Sequence, residues 1–264
     1  MLICPKCHKQ LNKINNSYVC INNHCFDISR YGYVNLLLSK TSSGDNKEMV
    51  MARYNFLTKN YYLKLAIFIN NLLFNYLDKD DIVLDGGCGI GFYDSVLKID
   101  HPNIIGFDIS KEAIIKATKL NKNLMYFVAS GASIPLQEKT VSCILNIFAP
   151  TFIEESFRIL KDDGLLIVIT PGANHLIELK KIIYDKAYLN NEKVPEFSGF
   201  NLIKQEELSY IMKLNNDDLS NLIKMTPYFY KTNISDLNKI NNLNSLEVSA
   251  SFNVLVYKKE QTIN

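Results

Sequence analysis

The stretch Ile82-Val83-Leu84-Asp85-Gly86-Gly87-Cys88-Gly89-Ile90-Gly91 decides the fold of this 264-residue chain. A short apolar run ends in an acid, and glycines then recur at 87, 89 and 91 before helical patterning resumes to about Ile99. Alternating glycines at a strand-to-helix turn let the backbone approach a ligand where a Cβ would collide. Working outward, Asn103–Asp108 reads as a second strand, and Ser110 can cap the helix after it, with Glu112 in the first turn. Leu124–Ala129, Val141–Phe148 and Leu165–Thr170 are further apolar strands. A helix of about 151–161, stopped by Asp162-Asp163-Gly164, separates the last two. Strands alternating with helices make an α/β domain on a mostly parallel sheet. Helical patterning also covers about 49–77, His175 to about Leu189 reads as a helix, and strand-like runs lie near 206–213 and 246–257.

The spacing identifies the ligand. A dinucleotide site reads G-x-G-x-x-G, with a pyrophosphate on the helix N-terminus. Here the spacing is G-x-G-x-G, behind an acid suited to an ammonium group. Asp108, 17 residues after Gly91, ends the second strand where a carboxylate accepts from ribose hydroxyls. Ala129 and Ser130 follow the third strand, where an adenine edge would sit. Ammonium, ribose and adenine together describe S-adenosylmethionine. The bland reading is a tight turn beside a surface Asp.

Four of the six cysteines fall within the first 25 residues. Cys4-x2-Cys7, twelve residues, then Cys20-x3-His24 fits tetrahedral zinc. Cys25 adjoins His24 and His8 adjoins Cys7; His24 is preferred as the fourth ligand and Cys25 is the alternative. Four protein ligands leave no open position, so the metal is expected to be structural. Cys88 and Cys143 read as packing residues. The fold class that follows is a class I, Rossmann-like methyltransferase domain with a small N-terminal zinc-binding module. We divide the chain into a zinc-binding RNA-recognition module at 1–38, a linker and the start of a helical connection at 39–60, and the methyltransferase domain at 61–264.

Net charge is only +2, but residues 1–60 carry eight Lys/Arg against three acids. A basic N-terminal module on a mildly acidic body suggests an anionic partner such as nucleic acid. Met1-Leu-Ile-Cys-Pro5 lacks the features of a signal peptide, and Leu63–Leu77 is too short and too polar to span a bilayer. No membrane association and a cytoplasmic location are the expectations.

The segments CPKCH (4–8), NSYVC (16–20), FDISRYGYVNLL (26–37), DGGCGIGFY (85–93), GFDISK (106–111), FAP (148–150), TPGANHLIELK (170–180) and MTP (225–227) resemble the bacterial 23S rRNA (guanine-N1)-methyltransferases over nearly the whole chain. The resemblance implies zinc on Cys4, Cys7, Cys20 and His24. It implies S-adenosylmethionine on Asp85, Gly87, Gly89, Ile90, Gly91, Asp108, Ile109 and Ser130, with Tyr62 and His175 as lid contacts. Ile90 stands where the family often has an acid, so only its backbone contact is expected. The acceptor implied is N1 of a guanine in a 23S rRNA hairpin, by a homodimer able to clamp RNA. The end of the fourth strand, Asn146-Ile147-Phe148-Ala149-Pro150, departs from the signature of exocyclic-amine methyltransferases. Phe148 either stacks on the target base or belongs to the core. No side chain is an obvious general base, and Lys6, Lys9, Lys13 and Arg30 are the candidates for phosphate contacts.

Two rival readings differ in testable ways. A methyltransferase acting on a small molecule or protein would keep its activity after neutralisation of the basic module. A non-catalytic RNA-binding zinc protein would fail to bind S-adenosylmethionine.

Overall fold

The computed structural model describes residues 1–39, 45–184, 186–229 and 232–260. Residues 40–44 of the linker expected at 39–60 therefore lie outside the described residues. The chain opens with a three-stranded antiparallel sheet, β1 (Leu11–Ile14), β2 (Ser17–Cys20) and β3 (Cys25–Asp27). Next come β4 (Val34–Asn35), α1 (Lys47–Leu57) and α2 (Leu63–Phe74). The α/β core follows as β5 (Val83–Gly86), α3 (Phe92–Leu97), β6 (Ile104–Asp108), α4 (Lys111–Leu120), β7 (Met125–Val128), β8 (Val141–Ile147), α5 (Ile153–Ile159) and β9 (Leu160–Pro171). The chain continues through α6 (Ile177–Ile183), β10 (Phe200–Asn215), α7 (Asn216–Lys224), α8 (Ile234–Asn241) and β11 (Ser245–Lys259).

Eight strands form one sheet in the order β10-β11-β9-β8-β5-β6-β7-β4. From β9 to β4 every pair is parallel, whereas β11 and β10 are added antiparallel. β4 comes from the N-terminal segment and pairs with β7, Val34 opposite Phe127. The zinc module is thus tied to the sheet it precedes. Ile3 N–H donates to Pro135 O at 3.0 Å, and Leu2, Cys4, Leu11 and Val34 share one buried cluster with Leu84, Ile105 and Phe107. The opposite face packs on α1, α2, α6, α7 and α8 through a larger cluster containing Phe56, Leu65, Ile69, Ile167 and Phe252.

Four expectations about elements need correction. The helix expected over 49–77 is two helices, broken at 58–62, where Asn60 takes φ +66° and Tyr62 precedes α2. The helix before Asp162 ends at Ile159, because buried Leu160 already pairs with Val141 in the sheet. The helix expected from His175 to Leu189 is only Ile177–Ile183. Asn190 pulls the following chain back, its Nδ2 donating to Gly172 O at 2.8 Å while its Oδ1 accepts from Lys180 Nζ at 2.5 Å. Finally, the two C-terminal strands are longer than the runs at 206–213 and 246–257, and α7 and α8 between them were not anticipated. The cap at Ser110 is as expected, its Oγ accepting from Ala113 N–H at 3.4 Å. No helix among the described residues is long and apolar enough to cross a membrane.

Candidate active site and metal centre

Apolar β5 carries Asp85 into the interior and ends at the glycine turn, at the carboxyl edge of the sheet where open α/β folds bind ligands. Gly87, Gly89 and Gly91 all take φ between +54° and +74°. A Cβ on Gly87 would lie 2.8 Å from the Ala149 Cβ, and one on Gly91 would lie 2.8 Å from the Tyr126 hydroxyl. The turn therefore needs glycine for conformation and for space.

Two adjoining cavities flank the turn, of about 480 and 390 Å³. Tyr62, Asp85, Gly89, Ile90 and His175 line the larger. Asp108, Ile109 and Ser130 line the smaller, and Arg53, Gly87, Phe148 and Ala149 border both. Of the residues proposed for the cofactor, Gly91 alone lines neither and instead starts α3.

Asp85 is 1% exposed and faces the Asp94 carboxyl, and no amide, hydroxyl or cationic donor reaches either of its oxygens among the described residues. Burial raises its pKa well above the usual aspartate value, and the nearby Asp94, then Asp108, raise it further. Buried and unpaired, a carboxylate is costly, and a cationic group arriving in this cavity relieves that cost. Asp108 is organised differently: Oδ2 accepts from Gly89 N–H at 2.9 Å and Oδ1 from Ser110 N–H at 2.7 Å. Those two bonds lock the carboxylate against the turn and leave lone pairs for hydroxyl donors.

His175 follows a turn in which a Cβ on Gly172 would meet the Ser251 Oγ at 2.3 Å. Its Nδ1 accepts from Ser251 N–H at 3.2 Å, so the neutral ring carries its proton on Nε2, 3.4 Å from the Tyr62 hydroxyl. Burial, then Lys180, pushes its pKa down to about 4, so the ring is neutral at physiological pH. Phe148 is no core residue. It is 42% exposed, sits at φ +56° and stacks beside His175 with ring centroids 6.0 Å apart. Asn146 braces this turn, its Nδ2 donating to Pro150 O at 3.0 Å.

The sequence reading missed Arg53, Tyr93 and the segment Met225–Tyr228, all of which line the larger cavity. Arg53 pairs with Asp45 and donates to Met225 O at 3.3 Å. Asp218 holds the same side together, accepting from Lys59 at 2.5 Å and Tyr61 at 2.6 Å. One signal was available in the quoted MTP segment at 225–227; a lone arginine inside a helix offers none.

In the N-terminal module the donor atoms of Cys4, Cys7, Cys20 and His24 all lie within 4.8 Å of one another. Cys7 Sγ and Cys20 Sγ are 3.7 Å apart, close to the separation of about 3.8 Å that two thiolates have around tetrahedral zinc with Zn–S of about 2.3 Å. His24 presents Nδ1, 3.3 Å from Cys4 Sγ. Cys25 is exposed and turned toward Asp27, and His8 lies apart from the set, so His24 rather than either neighbour completes it. The Lys9 amide lowers the Cys7 pKa to about 6, favouring the thiolate that binds metal. Lys6, Lys9, Lys13 and Arg30 are all exposed on this module.

Comparison with known proteins agrees with both halves. The zinc-ribbon family described as "RlmA, N-terminal" matches residues 2–41, and a methyltransferase domain matches residues 84–168. The chain accordingly uses S-adenosylmethionine and carries a structural zinc ion on the Cys4, Cys7, Cys20 and His24 set. A Bacillus subtilis (strain 168) protein, provisionally named as a 23S rRNA (guanine-N(1)-)-methyltransferase, is 28% identical over 98% of this chain and 97% of its own. A Micromonospora griseorubida protein with the same provisional name is 31% identical over 67% of this chain and 68% of its own. The 23S rRNA (guanine(748)-N(1))-methyltransferase of Streptomyces fradiae is 30% identical over 86% of this chain and 84% of its own. With that identity over that span, the chain belongs to the 23S rRNA (guanine-N1)-methyltransferase family.

Proposed function

We propose that this chain methylates N1 of a guanine in a hairpin loop of 23S rRNA. The observation that carries the reading is a cavity floored by an unpaired buried acid and a glycine turn, opening beside an exposed aromatic ring, in a chain whose relatives are named for that reaction. When bound, S-adenosylmethionine supplies an electrophilic methyl group on a sulfonium centre.

The chain's own contribution is positioning. Asp85 takes the ammonium group, and Asp108 accepts from the ribose hydroxyls. Ile109 and Ser130 flank the adenine edge, while Tyr62 and His175 close over the methionyl end. The backbone at Gly87, Gly89 and Ile90 shapes the bed beneath, and Gly91 starts the helix behind it. Phe148 stacks on the target base, which a hairpin loop allows to be splayed out.

Guanine N1 carries a proton that must leave as N1 becomes the nucleophile. His175 does not take it, because its Nδ1 already accepts a backbone amide and its Nε2 bears hydrogen. Asp85 is taken by the ammonium group, Asp108 by two amides and the ribose hydroxyls together, and Asp45 by Arg53. The N1 proton therefore passes to water at the mouth beside Phe148.

Lys6, Lys9, Lys13 and Arg30 meet the phosphates, so that binding weakens as salt rises. The working unit is read as a cytoplasmic homodimer clamping the hairpin, which light scattering of the free protein and its RNA complex would check. The decisive experiment is primer extension across large-subunit rRNA from cells with and without the gene. N1 methylation blocks Watson–Crick pairing, so one reverse-transcriptase stop should vanish with the gene. If no stop at any guanine is lost, the assignment fails.

A further inference from the structure

A methionyl group carries a carboxylate as well as an ammonium, and Asp85 can answer only the second. Burying that carboxylate without a cation would leave an uncompensated charge. Among the described residues lining either cavity, Arg53 is the one lysine or arginine. It stands on α1 at the boundary of the two, beside the glycine turn. A Cβ built on Gly89 would lie 3.8 Å from Arg53 Cδ and 3.9 Å from Nη1. The guanidinium has five N–H donors. Two acceptors are named for it, Asp45 on Nη1 and Met225 O on Nη2 at 3.3 Å. Among the described residues no other acceptor takes its remaining donors, which leaves them for a further oxygen ligand, and Asp45 shows that a carboxylate fits against this fork.

We propose that Arg53 is a cofactor-recognition residue whose guanidinium is the counter-charge for the carboxylate of the methionyl group. The inference rests on the S-adenosylmethionine reading of the cavity and deepens it. Asp85 and Arg53 then form a pair that reads an amino-acid zwitterion from opposite charges. Asp45 sets the orientation of the fork, and the Met225 carbonyl ties it to the segment after α7. Arginine suits the role better than lysine, because its planar fork can hold Asp45, Met225 O and a second carboxylate together.

The test is a binding cycle by calorimetry on the full-length, zinc-loaded protein. The ligands are S-adenosylhomocysteine and its decarboxylated analogue, S-adenosyl-3-thiopropylamine, which keeps the ammonium and lacks only the carboxylate. Arg53→Gln should weaken S-adenosylhomocysteine on the order of 10- to 150-fold, the range for a charged hydrogen bond. It should change the analogue by no more than about twofold, since the two deletions remove the same interaction. Asp85→Asn should weaken both ligands alike, because both retain the ammonium. Equal losses for the two ligands with Arg53→Gln would make Arg53 a structural clip and overturn the proposal, as would no loss for either. Arg53→Lys guards against misfolding of the Gln variant: it keeps the cation, and its smaller loss must again be confined to S-adenosylhomocysteine. If the unaltered protein binds neither ligand, the cofactor reading fails instead, a distinguishable result.

Discussion

Asp85→Asn should move folding stability and cofactor affinity in opposite directions. The side chain is 1% exposed, and no amide, hydroxyl or cationic donor reaches either oxygen among the described residues. Burial, then Asp94, then Asp108 raise its pKa well above the unfolded value. For an acid with a raised folded pKa, stability falls as pH climbs from the unfolded pKa to the folded one, and the deficit persists above it. An amide of the same shape cannot ionise, so ligand-free Asp85→Asn should melt higher than the parent, increasingly so with rising pH. Affinity goes the other way. An ammonium-to-carboxylate hydrogen bond contributes about 1.5–3 kcal/mol, so the amide should weaken S-adenosylhomocysteine on the order of 10- to 150-fold. Because an ammonium favours the ionised acid, binding to the parent protein should release a proton at pH values below the raised pKa. Its affinity should then rise with pH and level off above that pKa, while that of Asp85→Asn stays flat. Calorimetry in two buffers of different ionisation enthalpy measures the proton directly, and thermal melts measure the stability. A variant that loses both stability and affinity, or a parent that binds without proton release across the whole range, would refute the reasoning.

The metal centre makes a paired prediction: Cys20→Ser should lose the zinc ion by elemental analysis and melt at lower temperature, whereas Cys25→Ala should keep one zinc per chain. Zinc binding to such modules is worth on the order of 10–16 kcal/mol, so the two variants should differ plainly. Gly87→Ala puts a side chain at φ +74° with its Cβ 2.8 Å from Ala149; stability should fall by about 1–3 kcal/mol, and calorimetry should show S-adenosylhomocysteine bound at least about tenfold more weakly. Phe148→Ala should leave the melting temperature nearly unchanged, since the ring is 42% exposed. Single-turnover methylation of an rRNA hairpin should instead show RNA affinity reduced by the value of one stacked base, about 1–3 kcal/mol.

The α/β core was legible because its signals are local. Apolar β5 and β6 each carry an acid, Asp85 and Asp108, to the carboxyl edge of the sheet, and the glycine spacing encodes a backbone that favours glycine. The zinc ligands were legible for the same reason, since two knuckles fix their own spacing. Failures came where tertiary contacts overrode local pattern. Apolar periodicity runs through 49–77 unbroken, yet the chain turns at Asn60 so that Tyr62 reaches His175 and Phe252. Residues 184–189 have helical composition, but Lys180 binds Tyr188 O and Asn190, and Asn190 bonds in turn to Gly172 O, which draws the chain at 188–190 onto that turn. Arg53 was illegible for a different reason. It reaches the glycine turn from α1, 32 residues earlier than Asp85, and nothing in its neighbours distinguishes it from other surface arginines.

The zinc module and the cofactor site are mechanically one structure. Val34 pairs with Phe127 and Asn35 with Val128, and Leu36 N–H donates to Val128 O at 2.9 Å. The next residues, Ala129 and Ser130, line the smaller cavity beside Asp108. The N-terminal segment also bonds along 135–137, through Ile3 N–H to Pro135 O and Gln137 N–H to Met1 O. Residues 129–134 thus run between two stretches that the module grips, so one wall of the smaller cavity is held from outside the methyltransferase core. That arrangement explains why a four-ligand centre with no chemistry of its own belongs to this enzyme. Zinc folds a segment too small for a core of its own, and the segment then fixes one wall of the cavity. The same segment presents Lys6, Lys9, Lys13 and Arg30 to solvent, so this basic surface is built on the scaffold that shapes the cavity beside Asp108.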